Sequence, residues 1–205
     1  MSTHTFPSLA PDAAGHDAER RTWLRLATSL GGVATVGVAV PFVANFAPSE
    51  RAKAQGAPVE VDISDVAPGG LKTVEWRGKP VWILRRTPDM LAALEQTADL
   101  ADPASEREQQ PPYAANNVRS VKPEVLVVVG ICTHLGCSPT NQPASSDNPS
   151  LPAGWKGGFF CPCHGSTFDY AGRVFRNKPA PSNLEVPPYR FLADNRLLIG
   201  EDGQA

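Results

Sequence analysis

Two short stretches of cysteine and histidine constrain this chain more than any other feature. They read Cys132-Thr-His134-Leu-Gly-Cys137 and Cys161-Pro-Cys163-His164-Gly-Ser166, and they hold all four cysteines of the 205 residues. Each pairs a cysteine with a histidine at ligand spacing, Cys-x-His in the first and Cys-x-x-His in the second. Two facing loops of this kind can supply two thiolates and two imidazoles. Such a set can hold a tetrahedral structural zinc. A thioredoxin-like reading of Cys161-Pro-Cys163 is weaker, because that motif needs two intervening residues. Cys137 and Cys163 remain as a second pair, one in each stretch.

The duplicated pattern resembles the Rieske iron–sulfur protein of respiratory quinol–cytochrome c reductases, the cytochrome bc complexes. The resemblance implies one 2Fe–2S cluster held by Cys132, His134, Cys161 and His164, with cysteines on one iron and histidines on the other. It also implies a disulfide between Cys137 and Cys163 that ties the loops together. Rieske-type oxygenases and their ferredoxins share the ligand pattern but generally lack the extra cysteines, so the pair favours the quinol-oxidising branch. By the same resemblance His164 hydrogen-bonds the quinol, and the Ser166 hydroxyl donates to a bridging sulfide. Lys178-Pro179-Ala180-Pro181 resembles the family's proline loop over the cluster's third side. Position 168 departs from the best-known members, which carry a tyrosine donating to a ligand sulfur; Phe168 has no hydroxyl.

The donor set has an electrostatic consequence. Two ferric ions, two sulfides and two thiolates sum to zero charge when the imidazoles are neutral, whereas four thiolates would leave a dianion. Adding an electron to the neutral centre is easier, which places Rieske potentials at about −150 to +300 mV against about −400 mV for plant-type clusters.

A disulfide persists only outside the reducing cytosol, so the N-terminus should show how the chain leaves. Residues 1–19 read as a disordered tail, in which His4 and His16 have no assigned role. Arg20-Arg21-Thr22-Trp23-Leu24 then approaches a twin-arginine export signal, a route suited to proteins folded around a cofactor. Residues 26–46 carry no charge, and at helical rise they span about 30 Å. Ala52-Lys53-Ala54 has the small-residue spacing of a cleavage site, but the apolar run is too long for an ordinary signal peptide. The segment therefore reads as a retained anchor following a cytoplasmic tail, residues 1–25. Residues 47–58 are small or polar without apolar periodicity and read as a flexible hinge, about 20 Å long as a coil.

The remainder, residues 59–205, reads mostly as strands, in keeping with Pro 21 and Gly 17 in the composition. Residues 59–63 alternate, and Leu71–Trp76 is joined to residues 80–85 by a turn at Arg77-Gly78-Lys79. Thr87 caps a short helix with Pro88 at its first position. Residues 98–117 are charged, contain prolines and read as an exposed excursion. Val125–Val129 is a buried strand delivering the first ligand loop, and Tyr189–Ala193 with Arg196–Ile199 form a last hairpin. Trp76, Trp82 and Trp155 read as packing residues.

The expected fold is mostly β: a Rieske-type antiparallel β-sandwich with cluster loops inserted at about residues 130–181, plus one N-terminal transmembrane helix. The net charge of −2 offers no basic field for nucleic acid. The resemblance implies a subunit of a proton-translocating quinol–cytochrome c reductase in the bacterial inner membrane, single-pass, with its cluster domain in the periplasm. It would take one electron from ubiquinol with coupled proton transfer and pass it to a c-type cytochrome, beside cytochrome b in a dimeric complex. An electron-transfer subunit of a periplasmic oxidase is the alternative of a different class.

Overall fold

The computed structural model describes residues 13–49 and 56–203, with side chains from residue 17 onward. Residues 50–55, the middle of the expected hinge, lie outside this description, as do His4 and the side chain of His16. The chain divides into two compact units, Met1–Arg51 and Ala52–Ala205.

The first unit is built on helix α1 (Ala13–Ala44), all of whose described side chains are exposed. A helix apolar on every face is stable only where the surroundings are apolar too. The stretch Asp17–Ala44 is long and apolar enough to cross a membrane. Thr22, Thr28 and Thr35 donate their hydroxyls to the carbonyls of Ala18, Leu24 and Gly31, so these polar groups need no water. Pro41 lies in the last turn, where its missing N–H removes one helical bond shortly before the helix ends. The sequence suggests a disordered tail through residue 19, yet the helix is continuous from Ala13. Ala13, Ala14 and Ala18 have the best helix propensity, and extending a formed helix costs far less than nucleating one.

Among its described residues the second unit holds three three-stranded antiparallel sheets. One joins β1 (Val59–Asp62), β9 (Arg196–Ile199) and β8 (Tyr189–Ala193), in that spatial order. The second joins β2 (Leu71–Trp76), β3 (Lys79–Arg85) and β4 (Val125–Val129). The third joins β5 (Thr140–Gln142), β6 (Gly158–Phe160) and β7 (Thr167–Phe168). Val81, Trp82, Ile83 and Leu84 are all buried, so central strand β3 is covered on both faces, and β4 is buried throughout. Helix α2 (Pro88–Gln96) follows β3, with the Thr87 hydroxyl accepting from the Met90 amide at 3.3 Å.

A ring contact joins the second sheet to the third. The Trp82 ring packs on Phe159 with centroids 5.1 Å apart. The chain leaves β4 through Gly130, where a Cβ would stand only 2.3 Å from that indole, so the backbone crosses the ring at a distance only glycine allows. Trp76 is buried, and Trp155 donates Nε1–H to the Gln142 carbonyl.

Residues 98–117 are exposed at most positions, as expected, but the segment is anchored to the domain at a few buried ones. Leu100, Asp102, Ser105 and Ala114 are buried, and Leu100 bridges to Phe175. Gln109 accepts from the Val186 amide, and Asn183 donates to the Asp102 carbonyl and Ser105 Oγ. Most of the segment faces water, while its anchoring bonds satisfy backbone groups of residues 173–186.

Candidate metal centre

The two ligand loops lie at one end of the β5–β6–β7 sheet. Thr140, just after the first loop, pairs with Phe160, just before the second, so strand register sets the loop bases side by side. The loops close identically. Cys132 donates its amide to the Cys137 carbonyl at 2.7 Å, and Cys161 donates to Ser166 at 2.8 Å. Gly136 and Gly165 return bonds of 3.0 Å to the carbonyls of Cys132 and Cys161. Both glycines have positive φ, +83° and +77°, and a Cβ at either would meet nothing, so backbone conformation rather than space demands glycine.

This closure sorts the donors into layers. Cys132 and Cys161 are unbridged and buried, each about 2% exposed. His134 is half-buried and His164 exposed, their rings nearly perpendicular with centroids 4.7 Å apart. Cys137 and Cys163 are disulfide-bonded, which joins the loops across 26 residues of sequence. Among the described residues, the sulfurs of Cys137, Cys161 and Cys163 crowd within 4.8 Å of one another. Two of those three are in the disulfide and have no thiolate to offer. Burial pushes the Cys132 thiol up and the adjacent Cys161 adds to this, while the His134 amide and the Ser166 hydroxyl oppose it.

Ser166 is buried, and its Oγ accepts the Ala180 amide at 3.0 Å, which places the loop 178–181 over the second ligand loop. Thr133 Oγ1 donates to the Ser182 carbonyl at 2.6 Å, tying the first loop to the same cover. Phe168 is fully buried opposite Phe159.

Sequence reasoning missed the polar scaffold behind the second loop. Asp169 accepts from the amides of Ala171 and Arg173 and pairs with Arg173 Nε at 2.7 Å, all buried. Arg86 donates to the Tyr170 carbonyl, and Arg119 to those of Ala171 and Leu184. Burial pushes both guanidinium groups down to about 10, so they remain charged at neutral pH. Arginine and aspartate are ordinarily surface residues, and no periodicity marks these as interior.

A family model described as the Rieske 2Fe-2S domain matches residues 108–189. The "ubiquinol-cytochrome c reductase iron-sulfur subunit" of Allochromatium vinosum is 56% identical over 192 residues, covering 93% of this chain and 92% of that protein. The chain belongs to this Rieske family. The Bradyrhizobium diazoefficiens protein of the same description is 42% identical over 88% of this chain and 94% of its own. A solved chain titled hyperthermophilic respiratory Complex III aligns at 29% identity and a TM-score of 0.45, covering 83% of this chain and 96% of that one.

The cofactor of a Rieske chain is a 2Fe–2S cluster, and the donor chemistry here fits it. A buried pair of thiols behind an outer pair of imidazoles suits two irons with unlike ligands better than one tetrahedral ion.

Proposed function

We propose that this Rieske chain is the electron-transfer subunit of a ubiquinol–cytochrome c reductase, with Cys132, His134, Cys161 and His164 as the ligands of its cluster. The layering of the donors is the observation that carries the reading: cysteines inside, histidines outside. When bound, the cluster supplies a one-electron acceptor of raised potential, because two neutral imidazoles replace two thiolates.

The residues of the chain do the rest. Cys132 and Cys161 bind from the buried side, where water is excluded. His134 and His164 each have a second ring nitrogen beyond the one that ligates, and His164 is exposed. That nitrogen is in position to accept the quinol's hydroxyl hydrogen and hold the proton while the electron passes inward. Leu135, 72% exposed next to His134, gives the same tip an apolar surface suited to a membrane-facing partner.

Within this reading, residues 26–46 anchor the chain in a bacterial inner membrane after twin-arginine export. Residues 47–58 form the hinge, and residues 59–205 carry the cluster in the periplasm. Ubiquinol is met beside cytochrome b, the electron leaves to a c-type cytochrome, and the assembly is a dimer that translocates protons. The test is electron paramagnetic resonance of reduced membranes bearing the full chain, together with quinol-dependent reduction of cytochrome c. A Rieske signal is expected, and His164→Ala should abolish both. A colourless, zinc-loaded protein would overturn the proposal.

A further inference from the structure

Among the described residues of the domain, five charged side chains are buried: Arg86, Arg119, Arg173, Asp102 and Asp169. Three cations against two anions leave one positive charge uncompensated. Asp169 is taken by Arg173, whose Nε lies 2.7 Å from its carboxylate. Asp102 accepts the backbone amides of Glu106 and Arg107. The partners of the other two arginines are neutral. Arg86 donates to the carbonyls of Val118, Pro123 and Tyr170 and to Ser120 Oγ. Arg119, fully buried, donates to Gln110 Oε1 and to the carbonyls of Ala171, Gly172 and Leu184. Its Nε–H meets no acceptor.

Carbonyls satisfy the donors of a guanidinium without cancelling its charge, whereas a carboxylate does both. Arginine keeps its proton at neutral pH even when buried, and salt screens buried charges far less than exposed ones. Both charges therefore persist and act at a distance. Both also lie behind the ligand loops. Arg86 and Arg119 hold the carbonyls of Tyr170 and Ala171, in the turn just after β7. Leu184, which also accepts from Arg119, is two residues beyond Ser182, and Ser182 takes the Thr133 hydroxyl at 2.6 Å. These links place the Arg119 guanidinium within about 13 Å of Thr133 Oγ1, and Thr133 adjoins Cys132.

We infer that Arg86 and Arg119 are potential-setting charges: buried cations without a carboxylate partner, they favour the electron on the cluster through their field and not through contact. The inference rests on the ligand assignment proposed above. A centre of two ferric ions, two sulfides and two thiolates is neutral, and one added electron leaves it with a single negative charge. A fixed positive charge stabilises that reduced state and leaves the neutral one nearly unchanged. At roughly 15 Å and an effective dielectric constant of about 20, one such charge shifts the equilibrium about fivefold.

The experiment separates charge from shape at one arginine, by redox titration of the paramagnetic signal in membranes bearing the full chain. Arg119→Met removes the charge. It should lower the reduced-to-oxidised equilibrium about fivefold, or ~41 mV at ~59 mV per tenfold for one electron. Arg119→Lys keeps the charge but not the planar fork, and should stay within about twofold of wild type although the protein is less stable. The shift in Arg119→Met should be the same at low and high salt, because the charge it removes is buried. Equal drops in the two variants would mean that the arginine acts by holding the loops in place, and the inference fails. An unchanged potential in Arg119→Met at full cluster occupancy, or a drop that high salt abolishes, also overturns it, with the ligand assignment intact. Absence of any Rieske signal from the wild-type chain would instead sink the assignment itself. Should Arg119→Met not fold, Arg86→Met and Arg86→Lys give the same comparison, with the same outcomes supporting or overturning the inference.

Discussion

Phe168 lies directly across from Phe159 in the β6–β7 pair, and neither ring is exposed to solvent. Phe159 in turn contacts Trp82, so position 168 is built into the packing that joins the cluster sheet to the rest of the domain. A hydroxyl added to Phe168 cannot reach water. It must find an acceptor or remain orphaned at a cost of about 1–3 kcal/mol.

The family resemblance supplies an acceptor, a ligand cysteine sulfur. Phe168→Tyr is therefore expected to raise the midpoint potential by some tens of millivolts, since a difference of about 1 kcal/mol between oxidation states is on the order of 40 mV. Redox titration at full cluster occupancy is the check. An unchanged potential with reduced thermal stability would show that the hydroxyl was left without a partner.

The Cys137–Cys163 bond is the covalent link between the ligand loops. Cys137→Ala or Cys163→Ala should leave the second sheet folded, loosen both loops and speed loss of iron. Iron content against time in a chelator measures this. Retention equal to wild type would mean that strand register alone holds the loops together.

Arg119 donates to Gln110 Oε1 and to the carbonyls of Ala171 and Leu184, three segments that meet at no other side chain in this set of bonds. Arg119→Met leaves those acceptors buried without donors and should destabilise the domain by about 3 kcal/mol. Arg119→Lys should recover only part of this, because one ammonium cannot reproduce a planar fork. Thermal unfolding would decide it, and a loss below about 1 kcal/mol for Arg119→Met would rule out the clamp.

Burial pushes the Tyr189 hydroxyl up to about 12, against an ordinary value near 10. The folded state thus holds this proton more tightly than the unfolded chain does. Its contribution is complete below about pH 10 and is lost as pH rises through about 12. The stability advantage of wild type over Tyr189→Phe should shrink across that window, by an amount on the order of 2–3 kcal/mol. Denaturant melts of both proteins at pH 9 and 12 test this, and a constant difference would show that the hydroxyl titrates normally.

What could be read without the structure was what local chemistry sets. The Cys–His spacings, the Thr87 cap, the apolar run of β4 and the last hairpin of β8 and β9 each depend on residues a few positions apart. Strands β5, β6 and β7 carried no comparable signal, because two or three residues are too few to show a period. They exist because they pair with one another around the loops.

The same reason hid the anchoring of residues 98–117. Their charge and prolines are those of a surface loop, and only bonds with residues 173–186 show that Leu100, Asp102, Ser105 and Ala114 are buried. Arg86 and Arg119 find acceptors at Tyr170 and Leu184, 84 and 65 residues away, where no sequence window can see them. The sequence by itself determined the donors and their order along the chain. Tertiary structure alone decided which donors are buried, which face out, and what holds the cover loop above them, since burial and long-range hydrogen bonds are properties of the folded chain as a whole.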